Sequence, residues 1–310
     1  MPASGDTKAK AKPEAERYQP KAPFLSGALA GGLEISLTFP LEFIKTEQQL
    51  RAAAAADGRS QAGMVDIARA TVRRFGPQGL YRGLPPWLFF AFPRSAVRFS
   101  VFEHSLAGAT ALGLGSAADP RLTAACGFLS GAVEAASVMT PMQNVQIKLM
   151  HDAHRPAAER RYPRFFASLW QIPRDLGVVE GLFAGMVPTV VKGAVNSMIR
   201  FSIYERAKES VARALGADGD STAVHMLSGA MAGGVSAYVT HPIDTVKAQM
   251  MSLHGGSYGS SLECFLSVYR GGGVAALYCG ITPRVIRVCM EVALQFALFE
   301  KISRIIDGFF

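Results

Sequence analysis

A stripe of cationic and amide side chains lies in one apolar segment of this 310-residue chain. Lys192, Asn196 and Arg200 are spaced at i, i+4 and i+8, so in a helix they share one face. A guanidinium binds a carboxylate through two parallel hydrogen bonds, whereas a lysine acts as a compact point charge. The stripe therefore indicates a site for a small anion with two or three carboxylates. Phosphate esters remain an alternative, because arginine binds them equally well.

Two other segments carry comparable residues at the same register. The stretches 83–103, 185–205 and 280–300 align without a gap, and each ends in an aromatic residue followed by glutamate. In that register the side chains form three layers: Phe90, Lys192 and Arg287; Arg94, Asn196 and Glu291; and Arg98, Arg200 and Gln295. Five cations and one acid give these layers a net charge of +4. We expect Glu291 to pair with a neighbouring arginine and to orient it.

Six apolar segments could position these layers. They lie near residues 22–50, 82–106, 121–151, 186–212, 222–253 and 282–306. Each is long enough to cross a hydrocarbon core of ~30 Å, yet almost every one contains charged residues, so hydropathy alone would undercount them. The mean hydropathy of +0.20 suggests that one face of each helix meets water. The alternative to a membrane protein is a soluble all-helical protein. The alternative to an anion site is that the arginines reach the membrane interface or belong to gates.

An internal repeat of about one hundred residues organises the segments. Pro40, Pro141 and Pro242 are 101 residues apart, and each follows a run rich in small residues, which allows close helix packing in lipid. A polar connection with a shorter amphipathic segment, such as MVDIARATVRRFGPQG, separates the two helices of each unit. The sequence predicts an all-α membrane protein with six transmembrane helices in three pseudo-threefold-related repeats, each with a short surface helix. The repeats are predicted at 22–113, 114–214 and 215–310, after a disordered tail at 1–21.

Charge and motifs exclude other classes of function. The net charge of +8 is dispersed, and no nucleic-acid-binding signature is present, so we expect no nucleic-acid partner. The four cysteines show no metal-ligand spacing and no disulfide framework. His151 and His154 have no convincing third metal ligand. Because no nucleophile elbow, zinc motif or phosphate-binding loop occurs, we expect neither an enzyme nor a bound metal or cofactor.

The ends of the repeats resemble the signature of the mitochondrial carrier family, Pro-x-acid-x-x-base followed by Gly-x-x-x-x-aromatic-base-Gly. The first and third repeats match at the proline, acid and base, whereas the second has glutamines at the two charged positions. The resemblance covers nearly the whole chain and implies a multi-pass protein of the inner mitochondrial membrane. It also implies a matrix-side gate formed by Glu42, Lys45, Gln143, Gln146, Asp244 and Lys247, braced by Gln249. The glutamines are expected to leave one ion pair and two weaker charge-to-amide contacts.

The opposite, cytoplasmic-side gate resembles the family pattern aromatic-acid-x-x-base. It would contain Glu103, Glu205, Lys208 and Glu300. Three acids and one lysine can form few ion pairs, so this gate would close weakly. We therefore expect the substrate-free protein to be open to the intermembrane space. The family also implies that cardiolipin phosphates bind at helix starts, here at Gly83, Gly185 and Gly280. The basic residue of that motif is retained only in the first repeat.

Within the family, four strings resemble the tricarboxylate (citrate) carriers: GGLEISLTFPLEFIKT, FPRSAVRFSVFE, NSMIRF and PRVIRVCMEVA. This resemblance implies a monomer that exchanges citrate or isocitrate for a dicarboxylate such as malate by alternating access. Its anion site would contain Arg94, Arg98, Lys192, Asn196, Arg200, Arg284, Arg287 and Glu291. Phe90 and Gly193 depart from the pattern, so a carrier of dicarboxylates or oxo acids is an alternative. A proton-leak or non-transporting regulatory member of the fold is a further one.

Overall fold

A computed structural model describes residues 23–52, 63–116, 119–153, 159–162, 164–216, 221–253 and 255–307. The predicted disordered tail at 1–21 and His154 lie outside these residues. Within them, the regular secondary structure is helical. The α-helices are α1 (Pro23–Ala52), α2 (Met64–Phe75), α3 (Leu84–Ala111), α4 (Pro120–Glu134), α5 (Thr140–Asp152), α6 (Phe165–Leu176), α7 (Val178–Leu182), α8 (Met186–Leu215), α9 (Thr222–Met251), α10 (Ser261–Leu277) and α11 (Ile281–Asp307).

The helices repeat a pattern of long helix, short helix or helices, long helix. A π turn at Ala135–Met139 joins α4 to α5, so these two form one long element. The long elements are α1, α3, α4–α5, α8, α9 and α11, and the short helices α2, α6, α7 and α10 lie between the members of each pair. The predicted all-α fold of three helix pairs is confirmed. Because α1 packs against α11, the first and last long helices are neighbours and the ring of six closes.

Hydropathy identifies only some of the long helices as membrane spans. By length and composition, the described residues contain two candidate spans, Arg121–Asp152 and Val178–Asn196. The pair Ser261–Leu277 and Ile281–Gln295, bent by 54°, qualifies as a third when counted together. Yet α11 alone has 27 residues, or about 40 Å of helix. Its arginines and glutamate lower the mean hydropathy, as the sequence led us to expect.

Apolar side chains divide between the outside of the ring and one of its ends. Leu29, Leu33 and Leu37 follow one another at intervals of four along α1 and are about half exposed, as expected of a face that meets lipid. On the same helix, Phe39 and Phe43 are buried in a cluster that includes residues of α2 and α5. The C-terminal ends of α1, α5 and α9 are packed against one another there, and we call this the gate end of the bundle.

Three glycines turn the chain into the second long helix of each repeat. Gly83, Gly185 and Gly280 have φ values of 95°, 69° and 89°, a left-handed conformation that disfavours residues with a Cβ atom. Gly280 also lies close to the backbone of α1, because a Cβ atom there would be 2.9 Å from the carbonyl oxygen of Lys45. The glycine therefore lets α11 start directly against the gate end.

Gly280→Ala is expected to destabilise the fold by about 1–3 kcal/mol, because the alanine would add backbone strain and a contact with the Lys45 carbonyl. The measurement is the melting temperature in detergent. Gly108→Ala is the matched control, since a Cβ atom at Gly108 would meet no described atom of a neighbouring residue within 4 Å and the φ angle there is not left-handed. A melting temperature equal to that of the control would contradict this account of Gly280.

Candidate anion-binding site and gate

Asp244 on α9 is the centre of a buried ion network. Its side chain is inaccessible to solvent, and Lys192 Nζ and Arg284 Nη1 each lie 2.7 Å from its carboxylate oxygens. Lys45 Nζ lies 3.4 Å away and Lys247 Nζ 3.5 Å away. These cations come from α1, α8, α9 and α11, so one carboxylate links four helices. A buried charge needs such partners, since an unpaired one would be strongly destabilising.

Glu42 on α1 holds Arg287, the arginine of the first layer. Its carboxylate lies 3.4 Å from Arg287 Nη1 of α11 and 3.5 Å from Lys45 Nζ of its own helix. Arg287 Nη2 also lies 3.8 Å from the carboxylate of Glu291, one helical turn further along α11. The expected pairing of Glu291 with a neighbouring arginine is therefore present. Arg287 connects the gate end to the second layer.

The two glutamines of the second repeat make contacts that differ from the expected charge-to-amide pairs. Gln146 Oε1 accepts a hydrogen bond of 2.8 Å from Trp87 Nε1 of α3. Gln143 Oε1 is buried and has no hydrogen-bond partner within the described part of the chain. Both line a small polar pocket at the gate end together with Glu42, Lys45 and Lys247. The acids of the first and third repeats instead contact cations of α8 and α11: Arg287 lies against Glu42, and Lys192 and Arg284 lie against Asp244. A charged donor binds a carboxylate more strongly than an amide does.

Gln249 links α9 to α1 beside this network. Its Nε2 atom donates hydrogen bonds to the main-chain carbonyls of Gln49 and Leu50, the latter at 3.1 Å. These carbonyls lie near the C-terminal end of α1, where backbone acceptors lack partners inside the helix. Gln249 therefore satisfies two of them and ties the ends of the two helices together.

Trp87→Phe is expected to lower the free energy of unfolding by about 1–2 kcal/mol, because it leaves the buried oxygen of Gln146 without its donor. The measurement is again the melting temperature in detergent. Trp170→Phe is the matched control, since the Trp170 side chain is 81% exposed on α6. Equal melting temperatures of the two variants would show that the Trp87 hydrogen bond contributes little.

The arginines of α3 pair with a carboxylate that sequence reasoning missed. Glu134 at the end of α4 is buried, and its Oε1 atom lies 2.6 Å from Arg94 Nε. Its Oε2 atom lies 3.5 Å from Arg98 Nη1. The signal in the sequence was an acid inside an apolar, small-residue helix, GFLSGAVEAASVMTP, where a buried charge needs a partner.

The predicted layers share one structural feature. Asn196 Oδ1 accepts a short hydrogen bond from Ser236 Oγ of α9, and Arg94 Nε donates a hydrogen bond to Glu134 Oε1 of α4. Six described candidates are thus held by an acid or a hydroxyl group on the first long helix of a repeat: Arg94, Arg98, Lys192, Asn196, Arg284 and Arg287. Phe90 contacts the ring of Phe89. Gln295 is exposed.

The opposite end of the bundle is described less fully. Glu103 is exposed near the end of α3, and Lys208 lies partly buried on α8. Tyr204 and His225 join α8 to α9 through a 2.6 Å hydrogen bond. The side chains of Glu205, Glu300 and Arg200 lie outside the described part of the structure. The arrangement of the predicted cytoplasmic-side gate therefore stays a prediction.

Three pairs of long helices, joined inside the bundle by contacts between cations and buried carboxylates, are the architecture of a membrane transporter of charged solutes. A profile described as "Mitochondrial carrier protein" matches residues 16–109, 118–214 and 218–309. The chain belongs to the mitochondrial carrier family. It is a multi-pass protein of the inner mitochondrial membrane and a transporter rather than an enzyme.

Three relatives illustrate the similarity. The "Tricarboxylate transport protein B, mitochondrial" of Danio rerio is 34% identical over 294 residues, which cover 95% of this chain and 90% of the relative. The "Tricarboxylate transport protein, mitochondrial" of Rattus norvegicus is 33% identical over 95% of this chain and 92% of its own length. The protein of the same description from Homo sapiens is 33% identical, over 96% of this chain and 94% of its own length.

Proposed function

We propose that this carrier exchanges tricarboxylates such as citrate or isocitrate for dicarboxylates such as malate, by alternating access. The observation that carries the proposal is the pairing of five cations with internal carboxylates: Arg94, Arg98, Lys192, Arg284 and Arg287 are all held by Glu42, Glu134 or Asp244. The same cations can bind substrate carboxylates with the same chemistry. The names of the relatives in fish, rat and human support this substrate class.

Substrate binding would act on the gate through shared cations. Lys192 and Arg284 contact Asp244, and Asp244 also contacts Lys45 of α1. A substrate carboxylate that takes Lys192 and Arg284 would weaken their hold on Asp244, so the binding free energy would favour the state with the gate end open. In the empty protein this network supports a closed gate end, which in this family faces the matrix. Greater protease access from the matrix side in the empty state than in the substrate-bound state would contradict this order.

A dicarboxylate or oxo-acid carrier is the second candidate. Glu134 and Glu291 lie among the candidate cations and lower the positive charge available to a substrate. A site with fewer uncompensated cations favours an anion of lower charge. Phe90, partly buried on α3, also replaces a smaller side chain expected at the first layer by resemblance.

Uptake of labelled citrate into proteoliposomes tests the proposal. The vesicles are loaded with citrate, with malate or with buffer alone, and protein-free vesicles serve as the control. Exchange predicts rapid uptake into the first two and little into the third. Uptake of labelled malate or an oxo acid, with no citrate uptake by the same preparation, would instead support the second candidate.

Bound lipid and oligomeric state belong to the same proposal. The second long helix of each repeat begins just after Gly83, Gly185 or Gly280, where the first backbone N–H groups of a helix lack internal partners. Cardiolipin phosphates would bind these groups. The candidate cations and their carboxylates all lie within one chain, which favours a monomer. Static light scattering of the purified carrier and mass analysis of its lipids test both statements.

A further inference from the structure

The π turn between α4 and α5 gives Glu134 its position. Glu34 and Ser236 lie six residues before Pro40 and Pro242, whereas Glu134 lies seven before Pro141. A π turn takes up one extra residue. Its effect is visible in hydrogen bonds to the main chain: Thr140 Oγ1 donates to the carbonyl five residues earlier, whereas Thr38 Oγ1 and Thr240 Oγ1 donate to the carbonyl four residues earlier.

Glu134 consequently occupies the structural position of Ser236 in the third repeat. Ser236 contacts Asn196 of α8, and Glu134 contacts Arg94 of α3. Arg94 and Asn196 each lie eleven residues after the glycine that starts their helix. In the second repeat the π turn therefore places a carboxylate opposite the second layer, where the third repeat has a hydroxyl group. π turns inside α-helices are frequently found at functional sites.

The geometry lets Glu134 neutralise one positive charge without covering either arginine. Its two oxygens are divided between Arg94 at 2.6 Å and Arg98 at 3.5 Å, so neither guanidinium is bound through two parallel bonds. The Arg94 side chain remains 32% exposed and the Arg98 side chain 58% exposed, while that of Glu134 is 4% exposed. Guanidinium N–H groups therefore remain available to a ligand, at a pair whose net charge is +1 instead of +2.

We propose that Glu134 is a specificity-determining residue, a resident carboxylate that sets how much substrate charge the Arg94–Arg98 pair accepts. The inference rests on the proposed anion transport and deepens it. With Glu134 charged, the pair favours one substrate carboxylate. Replacing Glu134 by glutamine keeps the size of the side chain and frees one positive charge, so the preference moves toward the anion with more carboxylates.

Competition for exchange measures this preference. Labelled citrate exchange in proteoliposomes is inhibited with unlabelled citrate and, separately, with unlabelled malate, and the ratio of the two half-inhibitory concentrations is compared between proteins. Glu134→Gln is expected to shift the ratio roughly tenfold in favour of citrate, the size of one hydrogen bond to a charged group. Glu209→Gln is the matched control, because it removes an exposed carboxylate of α8 and should leave the ratio unchanged.

A conservative variant separates charge from packing. Glu134→Asp keeps the negative charge and is expected to keep the wild-type ratio, even if its exchange rate falls. A role in stability alone would lower the rate of both variants without moving the ratio, and an unchanged ratio in active Glu134→Gln protein overturns the proposal. Where Glu134→Gln does not fold, Arg98→Gln provides the test. With Glu134 still charged, the loss of that cation should shift the ratio toward malate, and no shift overturns the proposal.

A different result would refute the proposed function, independently of the test on Glu134. Wild-type protein that exchanges malate or an oxo acid but not citrate would refute tricarboxylate transport. The role of Glu134 would then be tested by the same comparison between a dianion and a monoanion of the transported class. There, Glu134→Gln is expected to favour the dianion, and an unchanged ratio again overturns the inference.

Discussion

Arg287→Ala carrier, reconstituted into citrate-loaded vesicles, is expected to exchange labelled citrate at least about thirtyfold more slowly than wild type. The Arg287 side chain is 15% exposed and lies between Glu42 at 3.4 Å and Glu291 at 3.8 Å. Its removal deletes a guanidinium from the anion site and leaves Glu42 without its partner on α11. Truncating one member of a buried charge pair costs about 2–5 kcal/mol, and each 1.4 kcal/mol corresponds to about tenfold.

Two further variants show whether the loss belongs to this position. Arg270→Ala removes an exposed arginine from the surface of α10 and should leave exchange close to wild type. Arg287→Lys keeps the charge but not the guanidinium fork, so we expect an intermediate rate. Melting temperatures of all variants identify any that are misfolded. Folded Arg287→Ala protein with near wild-type exchange would remove Arg287 from the proposed anion site.

The sequence was sufficient to predict the elements and their repetition. The 101-residue spacing of Pro40, Pro141 and Pro242 and the gap-free alignment of the second helices located all three helix pairs. Those signals are local or periodic, so they can be read without knowing which helices touch. The expected pairing of Glu291 with a neighbouring arginine is met by Arg287, four residues earlier in α11, where side chains at that spacing are neighbours.

Contacts between helices were the part that the sequence did not reveal. The sequence predicted Lys192 and Arg284 in the anion site and Asp244 in the gate, as two distinct sets of residues. In the structure, Lys192 and Arg284 contact Asp244 directly. Glu134 was missed because it lies one residue out of register with Glu34 and Ser236 in the sequence, and the π turn that restores its structural position has no simple sequence signature. Such pairings depend on helix packing and register, which periodicity within one helix does not determine.

Asp244→Asn is expected to weaken the gate end and to lower the melting temperature of the empty carrier by several degrees. The change leaves Lys45, Lys192 and Arg284 without the carboxylate that they share, and breaking a buried ion pair in this way costs about 3–5 kcal/mol. Glu209→Gln again serves as the control, because it neutralises an exposed acid outside the network. Equal melting temperatures of the two variants would mean that Asp244 does not hold the helices together.

The response to citrate distinguishes a competing carboxylate from a purely structural one. In the wild type, an anion must displace Asp244 from Lys192 and Arg284 before it can bind them, so part of its binding free energy is used against an existing ion pair. In Asp244→Asn protein the same cations are uncompensated, and citrate can replace the lost charge. Citrate should therefore raise the melting temperature of the variant more than that of the wild type. A smaller increase in the variant would show that Asp244 supports the anion site instead of competing for it.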